Sequence, residues 1–460
     1  MKKIGLLMVS SLLFGVFSFF YGCNGEEKTA PTASMIDSTT MYGKFIVGYQ
    51  GWFSCPGDGS NISNTWGHWF HWDTSPDAVY LKVDMWPDVT ELDEDELFST
   101  NMNMPDGTPA KLFSAYKEKT VLRHFKWMQE YGIDGVFLQR FVTGLYDQDS
   151  PVFDFNKQVM QNVRTGAESC GRLFAIEYDT TSADPDLLVS IIQKDWMYLV
   201  DTIQITESQR YLRHKGKPVV VVWGLGYSDD NHKFFTPDQA MELITWFKTN
   251  APEKYQTTIV GGVPSRWRTC RDDSLPDPDT GVTWSEVYRS YDVILPWTVG
   301  RYSDLKSADS WKEDMIKPDL AEAMSHGIDY MPVVFPGFSF YNMHRYPLHP
   351  DGDTPPPLNE IKRDGGNFYW EQVFNAISAF KENESGYAMI KAAMFDEVDE
   401  GTAIFKVAPT QTDVPVGAEF VTLDSDGYHL PSDWYLRLTG KASEMLRGET
   451  PLSSEVPITP

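Results

Sequence analysis

The chain alternates between short apolar runs, often β-branched, and longer stretches in which apolar positions recur every three to four residues. Eight short runs stand out: Lys44–Gly51, Ile133–Phe141, Leu173–Asp179, Pro218–Gly226, Thr257–Val263, Val293–Val299, Tyr330–Phe335 and Ile390–Phe395. Between most of them lie amphipathic helical stretches, of which Lys117–Tyr131, Pro185–Ile203, Pro237–Thr249 and Trp370–Lys381 are good examples. A strand followed by a helix, eight times over, predicts an α/β fold, the closed parallel (β/α)8 barrel, as one domain with extended loops over residues 41–448. Within it, Ala403–Tyr428 reads as an irregular insertion with strand-like pieces, and Ser432–Leu446 as the closing helix. The tail, residues 449–460, is expected to be disordered.

The first residues do not belong to that pattern. Lys2 and Lys3 precede an apolar run from Ile4 to Phe20, and Tyr21-Gly22-Cys23 follows, so residues 1–22 read as a signal peptide. A small residue directly before a cysteine resembles a lipoprotein processing site and makes Cys23 the expected lipid anchor. The run is short for a bilayer span. Residues 23–40 are too polar to pack and read as a flexible tether. The expected location is the bacterial cell envelope, at the outer membrane or cell surface or facing the periplasm, with the membrane reached only through Cys23.

Composition changes the picture in two ways. The sequence carries 65 acidic and 39 basic residues, a formal net charge of −26, which repels polyanions and argues against nucleic acid as a partner. Aromatic residues make up 14%, including 15 Trp and 22 Tyr, and such rings serve both cores and sugar-stacking clefts. Besides Cys23 there are Cys55, Cys170 and Cys270, which allow at most one disulfide and show no metal-ligand spacing. No cofactor or metal is implied.

In the barrel fold, chemistry gathers at the C-terminal ends of the strands. Here those ends carry Tyr49 and Trp52, Gln139 and Arg140, Glu177, Tyr178 and Asp179, Trp223, Trp297, and finally Asp396. Flat faces for stacking and polar arms for hydroxyls are what a sugar site needs, so an oligosaccharide or polysaccharide is the expected substrate. The last strand runs into Asp396-Glu397-Val398-Asp399-Glu400-Gly401-Thr402, four carboxylates within five residues. Mutual repulsion among them should raise at least one pKa and supply a protonated acid beside an ionised base. A solvated acidic loop is the competing reading; the spacing fits no EF-hand calcium loop.

These residues carry a resemblance to glycoside hydrolase family 99, the endo-α-mannosidase group, and to its family 71 relatives. The last-strand segment is similar to that family's Asn-Glu-Trp-His-Glu-Gly-Thr motif, keeping both glutamates, their spacing and the Gly-Thr. Gly48-Tyr49-Gln50-Gly51-Trp52-Phe53, Gly132-Ile133-Asp134-Gly135-Val136 and Arg363-Asp364-Gly365-Gly366-Asn367-Phe368-Tyr369 resemble its first strand, its second strand and the entry to its last barrel helix. Trp66–Trp72, with His68, Trp69, His71 and Trp72, resembles its His-Trp segment and adds His68 and Trp69 to the expected sugar contacts; the histidines lack an acidic partner at helical spacing that would suggest a metal.

The resemblance implies hydrolysis of an α-linked glycan with retention, through a 1,2-anhydro sugar. Glu397 would deprotonate the 2-hydroxyl, and Glu400 would be the general acid/base. Asp396, Val398 and Asp399 depart from the motif, which leaves the sugar and linkage open. Two other readings stay open on the sequence: a surface glycan-binding barrel without turnover, and a xylosidase- or arabinosidase-type hydrolase using a direct carboxylate nucleophile.

Overall fold

The computed structural model describes residues 35–62, 65–73, 75–344 and 355–460. The signal segment, the anchor Cys23 and most of the tether lie outside the described residues. Eight parallel staves form the centre: β1 (Phe45–Tyr49), β2 (Gly135–Phe141), β3 (Leu173–Asp179), β4 (Lys217–Trp223), β5 (Thr258–Val263), β6 (Val293–Pro296), β7 in two pieces (Asp329–Tyr330 and Val333–Val334) and β8 (Ile390–Ala392). They pair in that order, and β8 pairs with β1. The first piece of β7 pairs with β6 and the second with β8, so this one segment closes the ring across Met331-Pro332. Proline has no N–H to give to a ladder, which accounts for the break. All eight predicted runs are therefore staves of the barrel.

Helices cover the outside where the apolar periodicity placed them: Glu118–Tyr131, Leu188–Asp201, Pro237–Thr245, Asn367–Glu382 and Trp434–Leu446. The longest helix, Pro151–Cys170, is marked by its ends. Ser150 caps it by accepting from Phe153 N–H at 3.2 Å, Pro151 opens the first turn, and Gly171 ends it in the left-handed region. A two-stranded hairpin, Leu97–Asn103 with Pro109–Phe113, fills the long connection between β1 and β2.

Three sequence expectations are corrected. Residues 449–460 form no helix or strand, yet Leu452, Val456 and Ile458 pack on the core, Ser453 O accepts from Trp370 Nε1 at 3.0 Å, and Thr459 O accepts from Arg437 at 2.8 Å. The tail is thus held in place by apolar burial. The segment Ala403–Tyr428 contains no strand; its one ladder-like contact is the Pro87–Val407 bridge. The last six residues of the tether also join the body, since Ile36 N–H donates to Gly171 O and Ser38 O accepts from Arg213 N–H.

Candidate active site

The C-terminal mouth of the barrel holds a cavity of about 230 Å³. Its acids are Glu177, Asp179, Glu397 and Glu400; its rings are Trp52, Phe141, Trp223 and Trp297; Gln139, Thr181 and Met394 complete the wall. A larger groove of about 680 Å³ lies between the hairpin and the Ala408–Asp413 segment, away from the strand ends. Position rather than size selects the smaller cavity as the site.

Strand geometry decides which side chains reach it. Successive residues on a strand point to opposite faces, and the parallel register sets Gln139 beside Glu177, Phe141 beside Asp179, and Asp179 beside Trp223. All five of these line the cavity. Opposite Trp223 on β5 stands Gly262, where a Cβ would come within 2.5 Å of the Trp223 ring, so glycine there leaves room for the indole.

Their outward-facing neighbours do something else. Arg140 is buried and grips Asp195 through Nε and Nη2 at 2.8 and 2.6 Å, and Tyr178 Oη donates to the same carboxylate at 2.8 Å. Tyr49 Oη meets His124 Nδ1 at 2.9 Å on the first barrel helix. Trp69 is wholly buried, stacks on Phe53 and donates to Phe113 O at 3.0 Å. Asp396 accepts from the backbone N–H of Gln50 and Gly51 at 2.8 and 2.9 Å, tying β8 to the end of β1. The expectation that Tyr49, Trp69, Arg140, Tyr178 and Asp396 contact substrate is therefore corrected: these groups are spent on the barrel itself.

The catalytic candidates stand in a dense frame. Glu397 is buried and accepts from Gln50 Nε2 and Thr402 Oγ1. Burial first, then the charges of Glu400, Asp399 and Asp396, pushes its carboxyl well above the usual range. Burial and the Asp399 charge push Glu400 up to about 7. Both therefore hold a proton to higher pH than an exposed glutamate does, Glu400 to about 7. Gly401, at a φ of +66°, turns the chain after Glu400 in a conformation that side chains resist.

Asp84 fixes the same loop from across the mouth. Its N–H donates to Val398 O at 3.0 Å, while its carboxylate accepts from Tyr341 N–H and Asn342 N–H, both at 2.7 Å, and from Ser339 Oγ at 2.5 Å. Ser339 N–H in turn donates to Glu400 O at 2.9 Å.

Deeper in the barrel, Lys391 is fully buried and donates to both oxygens of Glu177 at 2.8 Å. Burial pushes the Glu177 carboxyl up and Lys391 draws it back. Arg140 and Glu177 do not pair with each other; their ion-pair partners are Asp195 for Arg140 and Lys391 for Glu177. Asp179 accepts from Gln139 Nε2 and from Thr181 N–H at 2.8 Å. His68 does not line the cavity but backs Trp52, with ring centroids 4.0 Å apart and planes within 3°. His71 turns away to Asn342 O at 2.8 Å, and Trp72 is exposed.

Among the described residues, Trp52 Nε1, Trp223 Nε1 and Gln139 Oε1 are buried with no hydrogen-bond partner. Two donors and one acceptor thus wait on the cavity wall. The grouping of acids with metal-ligand spacing among the described residues is Asp93, Asp95 and Glu96, where Lys119 and Arg123 already form ion pairs. Sequence reasoning did not single out Thr181, Lys391 or Met394, and it named Gln50 and Thr402 only as parts of motifs, with no role. The strand parity was a usable signal for Lys391, since a lysine in an apolar stave has to find a buried carboxylate.

With this geometry in hand, comparison with solved structures finds the GH99 endo-alpha-mannosidase from Bacteroides thetaiotaomicron. It superposes with a TM-score of 0.59 at 15% identity, over 90% of this chain and 99% of that one. The same enzyme in complex with BIS-TRIS-propane gives 0.59 at 16% identity, over 89% and 99%. The likeness is one of fold. It spans the barrel and its loops together and agrees with the resemblance noted from the motifs. No protein-family model and no curated protein matches the sequence.

Proposed function

We propose that the chain is a glycoside hydrolase that cleaves an α-linked glycan with retention of configuration, Glu397 and Glu400 being the catalytic pair. One observation carries the reading: two glutamates with raised proton affinity face a single aromatic-walled cavity at the catalytic end of a barrel. Glu400, near 7, carries the proton that the departing oxygen needs. Glu397 takes the proton of the sugar 2-hydroxyl, whose oxygen attacks the anomeric carbon to form a 1,2-anhydro ring. Water then attacks the anomeric carbon and gives its proton to Glu400, while the bond from that carbon to the 2-oxygen breaks and Glu397 returns its proton to the 2-oxygen.

The charge of Glu400 raises the proton affinity of Glu397, and substrate decides which of the two keeps a proton. Gln50 and Thr402 already donate to Glu397, and an incoming 2-hydroxyl adds a third donor. Hydrogen bonds of that kind favour the ionised form, so the proton settles on Glu400. Trp52, Trp223 and Trp297 offer faces and edges to the sugar, while the unpaired Trp52 Nε1, Trp223 Nε1 and Gln139 Oε1 match its hydroxyls.

The test is product release from α-mannans and other α-linked polysaccharides, read by mass, with the first-formed anomer read by proton NMR. Release of the retained anomer, lost in both Glu397→Gln and Glu400→Gln, supports the reading. Binding without release would instead mark a glycan-capturing barrel, and activity surviving both substitutions would refute the assignment of the pair. We propose further that residues 1–22 are removed on export and that Cys23 carries a lipid at the cell envelope. Mass spectrometry of the mature N-terminus checks this, and a Cys23→Ala chain found in the membrane fraction would refute it.

A further inference from the structure

Asp399 occupies the motif position at which the resembled family has a histidine, and it sets a third carboxylate against the two glutamates. Its surroundings account for how the site accommodates it. The segment carrying Lys82 is docked on the catalytic loop, because Asp84 N–H and Met85 N–H both donate to Val398 O at 3.0 Å. This docking brings Lys82 Nζ to 3.8 Å from Asp399 Oδ2. The same ammonium lies 3.4 Å from His68 Nδ1.

Lysine offers donors only, so His68 Nδ1 accepts, and the neutral ring carries its proton on Nε2. Burial and the Lys82 charge both push this imidazole well below its ordinary range. His68 lies flat behind Trp52, which walls the cavity. Lys82 therefore touches both supports of the site, the acidic loop and the aromatic wall.

We propose that Lys82 is a positioning residue of the catalytic pair: its ammonium holds the Asp399 carboxylate beside Glu397 and Glu400 and offsets its charge, and the Lys82–Asp399 pair sets the pH range over which Glu400 serves as the acid. The inference rests on the hydrolase reading of the two glutamates. The groups facing Glu400 are Asp399 and Glu397 on its own loop, Asp179 from β3, and Lys82 from the docked segment; Glu177 lines the same cavity, with its partner Lys391 behind it, deeper in the barrel. Asp399 and Asp179 raise Glu400, and Lys82 lowers it.

Opposite signs follow. Without the Lys82 charge, Glu400 holds its proton to higher pH; without the Asp399 charge, it releases the proton sooner. A scaffold role alone would lower activity at every pH and leave the profile where it was.

The experiment compares pH profiles of kcat/KM for the full chain and for Lys82→Met, Lys82→Arg, Asp399→Asn and the double variant K82M/D399N. The alkaline limb is expected to move up by about one pH unit in K82M and down by about as much in D399N. It stays in place in K82R, which keeps the charge, and returns toward the parent in the double variant. Carbon-13 NMR titration of the Glu400 carboxyl, assigned by its loss in Glu400→Gln, reads the same shifts without turnover. Opposite titration shifts in a protein that releases no glycan would sink the hydrolase reading, and with it the catalytic role of the pair, and would leave only the coupling of Lys82 and Asp399 to Glu400. An unmoved Glu400 titration in folded D399N and K82M, or shifts of the same sign, would overturn it. If K82M does not fold, D399N alone decides by whether Glu400 moves down.

Discussion

The two faces of the same strand ends have opposite fates. On β2 and β3 the inward residues Gln139, Phe141, Glu177 and Asp179 line the cavity, whereas the outward Arg140 and Tyr178 converge on Asp195. Chemically the two sets are alike, each holding acids, a ring and polar donors. What separates them is satisfaction. Arg140, Tyr178 and Asp195 saturate one another, while the inward face keeps unpaired Gln139 Oε1 and Trp223 Nε1 and carboxylates with raised proton affinity. A saturated buried network stabilises; an unsaturated one at a barrel mouth is available to a ligand.

The sharpest way to break this contrast is at the glutamates. Glu400→Gln should cut glycan release by roughly a hundredfold or more, since it removes the acid proposed to protonate the leaving oxygen, and should leave the melting temperature within a few degrees. On the outer face, Arg140→Met leaves Asp195 as an uncompensated buried charge and should lower stability by about 3–5 kcal/mol, read by denaturant unfolding, with kcat of the folded fraction intact. Asp396→Ala should fall between the two. It leaves the Gln50 and Gly51 N–H groups unpaired, costing about 1–3 kcal/mol, and it loosens Gln50, which orients Glu397, so both stability and kcat should drop.

Smaller effects sharpen the same contrast. Trp223→Ala should raise KM by roughly tenfold through lost stacking, with kcat less affected, as steady-state kinetics would register. The pH profile completes the set. Because Glu400 is pushed up to about 7 and as the proposed acid must be protonated to act, activity should fall as pH rises through that value. A profile flat across pH 6–8 would count against Glu400 as the acid, on the same titration argument.

Much of this was legible in the chain. Apolar periodicity located every stave, and the carboxylate run after β8 marked Glu397 and Glu400, because such a cluster ending an apolar strand has to face the mouth. What misled was reading whole strand ends as site. Tyr49, Arg140 and Tyr178 are one residue out of phase with Gln139, Glu177 and Asp179, and a period of two sends them to the helices. Asp396 and Trp69 were harder, since both lie in loops where no period applies and their partners, the Gln50 and Gly51 amides and Phe113 O, are set by tertiary packing. Lys82 is distant in sequence from Asp399, and only the docking of its segment on Val398 O brings them together. The tail after Gly448 was expected to be disordered, but three spaced apolar residues, Leu452, Val456 and Ile458, were enough to hold it.

The most direct measurement sets Glu400→Gln beside Arg140→Met in one assay of glycan release and one of thermal unfolding. The account expects E400Q to melt with the parent and release almost nothing, and R140M to melt early while its folded fraction turns over normally. Normal release by E400Q, or loss of turnover in folded R140M at unchanged melting temperature, would contradict the division of labour between the two faces.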